Sequence, residues 1–105
     1  EAGYPPCGHL AILGFSGTSE QAVKQRADVS AEALTRIKME LGLRLELLGP
    51  APAPIYRMRG RFRRRILLKA PSRADLRRLV TAWLERRETA ANVRESVDID
   101  PVDMS

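Results

Sequence analysis

The residues whose types and spacing could do chemistry are concentrated in one basic segment. Six of the nine residues from Arg57 to Arg65 are arginines. Between Ile55 and Arg78, nine arginines and one lysine outweigh one aspartate, so this segment carries +9 and the rest of the chain −4, for a net charge of +5. Guanidinium groups bind phosphate and carboxylate oxygens through paired hydrogen bonds. The charge distribution therefore predicts an acidic partner and favours a nucleic acid over a role in solubility alone.

Alternation within this segment indicates a strand that presents its cations on one face. The residues on one side are apolar: Phe62, Ile66, Leu68 and Ala70. Those on the other side are basic: Arg61, Arg63, Arg65 and Lys69. Residues two apart on a strand are separated by about 6.6–7 Å, a spacing that can follow a phosphate backbone. Gly60 and Arg61 are predicted to form the turn that joins this strand to "IYRMR", and Arg64 interrupts the alternation, so we expect it near the end of the sheet.

The predicted DNA-contacting residues are those of the hairpin: Arg57, Arg59, Arg61, Arg63, Arg65 and Lys69, with Tyr56 able to stack on an unpaired base. Two structural explanations compete with this interpretation. Charged residues at a sheet edge prevent aggregation. Phe62 shares a face with apolar residues, which favours core packing for this aromatic, whereas for Tyr56 both roles stay open.

A second candidate site lies at the start of a predicted helix. Ser72 and Asp75 have the spacing of a capping box. Arg73 follows the cap, where the free amides and the helix dipole favour an anion over a cation. An acidic ligand bound by Arg73 would explain this placement, and Arg77, one turn later on the same face, would contribute to the same site. Pairing of Arg73 with Asp75 or with another carboxylate of the chain explains it equally well.

Residues typical of catalysis and metal binding are sparse. Cys7 and His9 lack a third ligand at any familiar spacing. Asp98 and Asp100 share a predicted strand face and could bind Mg²⁺, but no phosphate-binding glycine-rich loop accompanies them. An acyl-phosphate hydrolase would need an asparagine beside its arginine, and Asn92, the only asparagine, lies in a distant predicted loop. We therefore expect no catalytic residue, no metal and no cofactor.

The composition of the 105 residues, 44% hydrophobic and 30% charged, fits one domain with a core of its own. The longest apolar run, Leu10 to Phe15, is too short to span a membrane. A single cysteine suits a reducing cytosol. Because the chain starts with Glu1, we interpret it as a fragment of a longer protein or a processed product. We expect an entry segment at 1–8, a folded core at 9–101 and a tail at 102–105.

Hydrophobic periodicity predicts the element order strand, helix, strand, strand, helix, strand. The first strand and helix are expected at His9–Ser16 and Ser19–Met39, and the second strand at Arg44–Gly49, followed by an extended link at 50–54. After the hairpin come a helix with the core stripe Leu76, Leu79, Val80, Trp83 and Leu84, and a last strand at Glu95–Asp100. Two split βαβ units of this kind form an α+β two-layer sandwich, a four-stranded antiparallel sheet with both helices on one face and the other face open for binding.

The segments "GYPPCGHLA", "LLGPAPAPIYRMRGRFRRRILLKAPSR" and "VDIDP" together resemble the C-terminal domain of primosomal protein N′, the PriA family of bacterial replication-restart helicases. The likeness runs in order from Gly3 to Pro101. Cys7 and His9 depart from it, since the family usually has phenylalanine and arginine there. The resemblance implies a fold like that of a ribosomal small-subunit protein.

The resemblance also implies a parent that unwinds DNA 3′ to 5′ at abandoned forks and D-loops, with its ATP, Mg²⁺ and zinc sites outside this chain. Family C-terminal domains bind DNA and help to dock the acidic tail of single-stranded DNA-binding protein during primosome assembly. The arginine of the "PSR" motif, here Arg73, is associated with that tail site, and Arg77 stands where the family often has glutamine. The chain would then be a non-catalytic module of the bacterial cytoplasm and nucleoid; the alternative is a general RNA-binding or ribosome-associated module.

Overall fold

The computed structural model describes residues 8–88 and 91–100, with the backbone alone for 54–58. Its elements are β1 (His9–Gly17), α1 (Glu20–Leu41), β2 (Glu46–Met58), β3 (Arg61–Ala70), α2 (Arg73–Arg86) and β4 (Arg94–Ile99). The strands form one antiparallel sheet in the order β2-β3-β1-β4. The predicted α+β fold and its element order are confirmed.

The hydrophobic core lies between one face of this sheet and both helices. On β1, Ala11, Leu13 and Phe15 are buried while the residues between them are partly exposed. These three pack in one cluster with buried residues of β3 and of the helices: Ile66, Leu68, Ala70, Val23, Ala27, Leu34, Ile37, Leu76, Leu79, Val80 and Trp83. Since both helices contribute to the same cluster, they cover the same face. The opposite face, here called the open face, carries the intervening strand residues.

The helix ends follow the capping signals in the sequence. The hydroxyls of Ser19 and Ser72 accept hydrogen bonds from the backbone N–H groups of Ala22 and Asp75, at 3.2 and 3.3 Å. Gly42 ends α1 in the left-handed conformation, with φ of 63°. Among the described residues, neither helix is long and apolar enough to cross a membrane.

Leu84 does not belong to the core, and this prediction was wrong. Its side chain is 41% exposed, whereas Trp83 is buried. At about 100° per residue, Leu84 lies roughly 90° from the centre of the stripe formed by the four buried residues of α2. The core therefore takes Trp83 and leaves Leu84 at the solvent boundary.

The second strand is longer than the sequence pattern indicates. A single strand, Glu46–Met58, runs through the proline segment that was expected to form a separate link. Its pairing with β3 shifts register between Leu48 and Ala51 and again between Pro52 and Arg57. Prolines lack the N–H that a ladder needs, and β2 is an edge strand, where such irregularities are tolerated.

The hairpin turn lies one residue earlier than predicted. Met58 pairs with Arg61, so the turn consists of Arg59 and Gly60. Both have left-handed backbones, with φ of 55° and 77°. Two-residue hairpin turns of the favoured kind need positive φ at both positions, which places Arg59 in the turn and Arg61 in the strand.

Candidate nucleic-acid and carboxylate-binding sites

The cations of β3 lie on the open face of the sheet. Ile66 and Leu68 of this strand are buried against the helices. Arg63, Arg65 and Lys69 have the opposite parity and therefore point to the other side. Their register partners on β1 are Ser16, Gly14 and Leu10. The structure thus brings the predicted basic residues of β3 together on one side of the sheet.

The hairpin end of β3 contributes further cations. The guanidinium of Arg61 lies 3.4 Å from the hydroxyl of Ser16 and donates to it. Arg59 is exposed in the turn. The backbone of Arg57 pairs with Phe62, but the side chains of Tyr56 and Arg57 lie outside the described residues.

Arg64 lies on the face covered by the helices. It stands opposite Phe15 of β1 and Pro52 of β2 and is partly buried. Its position, three residues from the hairpin end of β3, is near the end of the sheet. Arg64 therefore contributes less to the open face than its odd-numbered neighbours do.

Arg94 is a cation on the open face that sequence reasoning missed. It is exposed at the start of β4, opposite Ser16, whose other neighbour is Arg63. Ser96 follows on the same face, opposite Gly14. We predicted that the last strand begins at Glu95, which left Arg94 in a loop; the alternation of exposed Arg94, Ser96 and Asp98 could have found it.

A depression lies where these strands meet. Its open-face lining comprises Ile12, Gly14, Ser16, Arg63, Arg65, Arg94, Ser96 and Asp98. The hydroxyl of Ser96 reaches over Gly14, since a Cβ placed on Gly14 would lie only 2.7 Å from the Oγ of Ser96. Three guanidiniums and two hydroxyls can donate hydrogen bonds here, and one carboxylate can accept them. The depression is therefore suited to an anion at its basic end.

The guanidinium of Arg73 is paired with a carboxylate of the chain itself. Its Nε and Nη2 atoms lie 2.7 and 2.5 Å from Oδ2 of Asp100. The same oxygen is 3.1 Å from Nδ1 of His9, and Oδ1 accepts a hydrogen bond from the N–H of Leu10 at 3.1 Å. Of the two explanations left open for Arg73, the intrachain pair is present, and its partner is Asp100.

The pKa of Asp100 is lowered from 3.8 to about 2. Desolvation of the carboxyl raises it, but the N–H of Leu10, the guanidinium of Arg73 and the ring of His9 together outweigh this effect. Asp100 is therefore ionised at neutral pH and bound to Arg73.

The prediction that Asp98 and Asp100 share a strand face was wrong. β4 ends at Ile99, and Asp100 has a left-handed backbone with φ of 53°, which turns its side chain towards β1 and α2. Asp98 stays on the open face opposite Ile12. Within residues 8–88 and 91–100, no three His, Cys, Asp or Glu side chains form a group that could hold a metal ion. Cys7 lies outside the described residues.

Arg77 lies one helical turn after Arg73 and is exposed. It makes no hydrogen bond or ion pair with the part of the chain that the structure describes. The side chain of Arg73 is 52% exposed although it is paired. The two arginines thus form a basic surface at the start of α2, in which Arg73 is paired with Asp100 and Arg77 has no partner among the described residues.

Comparison with solved structures relates the fold to a de novo designed protein, Foldit4. The two share 14% sequence identity with a TM-score of 0.61, over 88% of this chain and 94% of the designed one. At this identity the likeness concerns the fold alone.

Comparison with curated proteins finds replication restart proteins PriA. The relative from Synechocystis is 35% identical over 94% of this chain and 11% of its own length, and that from Treponema pallidum 31% over 96% and 15%. The relative from Bacillus subtilis is 32% identical over 96% of this chain and 12% of its own length. The chain thus spans between about a tenth and a seventh of these relatives. The model of the primosomal protein N C-terminal domain matches residues 1–102. The chain belongs to the family of primosomal protein N C-terminal domains.

Proposed function

We propose that this chain is a non-catalytic module of a bacterial replication-restart helicase and that it binds the phosphate backbone of DNA at branched forks through the open face. The observation that carries the proposal is the common side taken by Arg63, Arg65 and Arg94, next to Arg61. Helices cover the other face, so the open face can meet a ligand without unfolding of the core. Family membership supports a partner that is DNA.

Charge along the open face is uneven and points to the hairpin end as the contact. At that end arginines lie on both β3 and β4. At the other end Lys69 stands opposite Glu46, and Asp98 lies on β4. A phosphate backbone is attracted to the first region and repelled by the carboxylates of the second. Lys69 therefore ranks below the arginines among the predicted DNA contacts.

Comparison of nucleic acids tests this proposal directly. Fluorescence anisotropy with a fork, a duplex, a single strand and a structured RNA, all of equal length and at one salt concentration, would rank the four. We expect the fork to bind most tightly. A preference for the structured RNA would favour the alternative of an RNA-binding module.

The ATP, Mg²⁺ and zinc of the parent helicase would be bound outside this chain.

We further propose that the surface formed by Arg73 and Arg77 helps to dock the acidic tail of single-stranded DNA-binding protein. The contacts of Arg73 with Asp100 use Nε and Nη2, and about half of the Arg73 side chain remains exposed to solvent. Arg77 supplies a second cation on the same helix face. Asp100 competes with the tail for Arg73, so this chain alone should bind a tail peptide weakly.

Substitution of the exposed arginine tests the docking site. Arg77→Ala should weaken binding of an acidic tail peptide, whereas Arg36→Ala, an equal charge change on α1, should not. Isothermal titration calorimetry at low salt would measure both. Equal weakening in the two variants would show that only net charge matters and would contradict a site at α2.

A further inference from the structure

We propose that the open face contains a binding site for one phosphodiester group, centred on Gly14, the position that lacks a side chain. We call it the Gly14 pocket and define it by Gly14, Ser16, Arg65, Arg94 and Ser96. The proposal rests on the proposed function in one respect, that the phosphodiester belongs to a bound DNA strand. It adds Gly14 and the two serines, and it gives Arg94 a specific phosphate to contact.

The strand register creates the pocket. Arg65, Gly14 and Ser96 form one row across β3, β1 and β4, and Arg63, Ser16 and Arg94 form the next. Cross-strand neighbours have Cβ atoms about 4.5–5.5 Å apart, and rows on one face are about 6.6–7 Å apart. Of these six positions, only Gly14 has no side chain. The Oγ of Ser96 lies only 2.7 Å from where a Cβ of residue 14 would be, so this hydroxyl reaches over Gly14. Arg65 and Arg94 stand in the same two rows, so a hydroxyl and two guanidiniums surround the position that lacks a side chain.

The pocket offers hydrogen-bond donors that are already oriented. Arg61 donates to the Oγ of Ser16, so the hydroxyl hydrogen of Ser16 can point towards a ligand. Ser96 supplies a second hydroxyl beside Gly14. Arg65 and Arg94 make no ion pair with any described residue, so their guanidiniums are available to phosphate oxygens.

The surroundings of the pocket determine how a strand would lie and what it could read. Beyond Gly14, the next row contains Leu67, Ile12 and the carboxylate of Asp98, which repels phosphates and directs the strand towards the hairpin. Four-stranded sheets that read bases do so with aromatic side chains on the open face of their central strands. Here Phe15 and Phe62 lie on the other face, against the core. The Gly14 pocket should therefore recognise phosphates irrespective of base.

Two variants with a matched control test this pocket. Arg94→Ala should weaken binding of a single strand about fivefold at 0.1 M salt and lower the slope of log K against log salt by about 0.7, as expected for one phosphate contact. Arg36→Ala carries the same charge change on the helix side and should leave both values nearly unchanged. Gly14→Ala, whose methyl group would displace the Oγ of Ser96 without changing charge, should also weaken binding at least threefold. Thermal unfolding checks that each variant is folded.

A comparison of strands with and without bases tests the Gly14 pocket independently of the Arg94→Ala and Gly14→Ala variants. In a Tyr56→Ala variant, which lacks the predicted base stacking, an abasic oligonucleotide should bind within about twofold of oligo-dT of equal length, because the pocket contacts phosphates only. Much weaker binding of the abasic strand would overturn the proposal. Equal changes of affinity and salt slope in Arg94→Ala and Arg36→Ala would also overturn the proposal. If Arg61→Ala still weakened DNA binding in that case, the proposed function would stand without the pocket.

Failure of the proposed function is distinguishable from failure of the pocket. If the chain bound no DNA, a titration with inorganic phosphate followed by amide chemical shifts would decide on the pocket alone. Changes in the amide chemical shifts of Gly14, Ser16 and Ser96 would support an anion-binding site at the pocket. Their absence would overturn the pocket together with the proposed function.

Discussion

Glu95 connects both helices to the edge strand, and its substitution should have the largest electrostatic effect on folding. Its carboxylate is only 5% exposed and accepts from the Nε of Arg26 on α1 at 2.6 Å. Its other oxygen accepts from Arg87, which follows α2 and packs over the ring of Trp83 at 5.3 Å. The side chains of Arg26 and Arg87 are 14% and 25% exposed. Glu95→Gln would therefore leave two poorly solvated guanidiniums without a counter-charge.

The magnitude follows from this burial. Removal of one partner from a buried ion pair costs about 3–5 kcal/mol. Since the two arginines retain some contact with water, we expect about 3 kcal/mol for Glu95→Gln. The pair between Glu40 and Arg86 is a matched control, because it also joins two elements but both side chains are 51% exposed. Glu40→Gln should cost less than about 1 kcal/mol.

Urea denaturation at pH 7, followed by circular dichroism, measures both free energies of unfolding. The melting temperature should fall by roughly 4–8 °C per kcal/mol lost in a domain of this size. Equal and small effects of Glu95→Gln and Glu40→Gln would refute the reasoning, because they would mean that water reaches Arg26 and Arg87 as freely as it reaches Arg86.

Three further predictions concern turns and the Asp100 cluster. Since the folded pKa of Asp100, about 2, lies below its usual 3.8, its ion pair stabilises the fold above pH 3.8 and is lost as the pH falls from there towards 2. The difference in urea midpoint between the wild-type chain and Asp100→Asn should shrink over that window; a constant difference would contradict the assigned pKa. Asp100→Asn should also bind an acidic tail peptide at least threefold more tightly in calorimetry, because it releases Arg73; weaker binding would show that Asp100 helps to hold the docking site. Arg59→Asn should raise the free energy of unfolding by about 0.5–1 kcal/mol, since asparagine tolerates the left-handed backbone better than arginine does. A loss of stability would mean that the Arg59 side chain makes a compensating contact.

Local signals in the sequence were sufficient for the helices and for the faces of β3. Ser19, Gly42 and Ser72 act through their own backbone neighbours, so their roles follow from type and position. The alternation around Ile66 needs only the two-residue period of a strand. Features that depend on distant partners were not predictable in this way.

β2 and Asp100 are two features that local sequence signals did not predict. Proline-rich sequences usually favour an isolated extended link, but pairing with β3 makes this one part of the sheet despite two shifts in register. Asp100 leaves the alternation of its strand because Leu10 and Arg73 both bind its carboxylate. Arg94 joins the candidate site because β1 places it beside Ser16, a contact between residues far apart in the sequence.

The central claim, that the hairpin end of the open face binds the DNA backbone, is tested most directly by a salt series. Anisotropy of the wild-type chain with a forked DNA should give a log–log slope that corresponds to about four to six neutralised phosphates. The triple variant Arg61→Ala, Arg63→Ala, Arg65→Ala should lose about three of these, whereas the equally charged control Arg36→Ala, Arg44→Ala, Arg78→Ala should keep most of the slope. Equal losses in both variants, or no binding by the wild-type chain at low salt, would contradict the account.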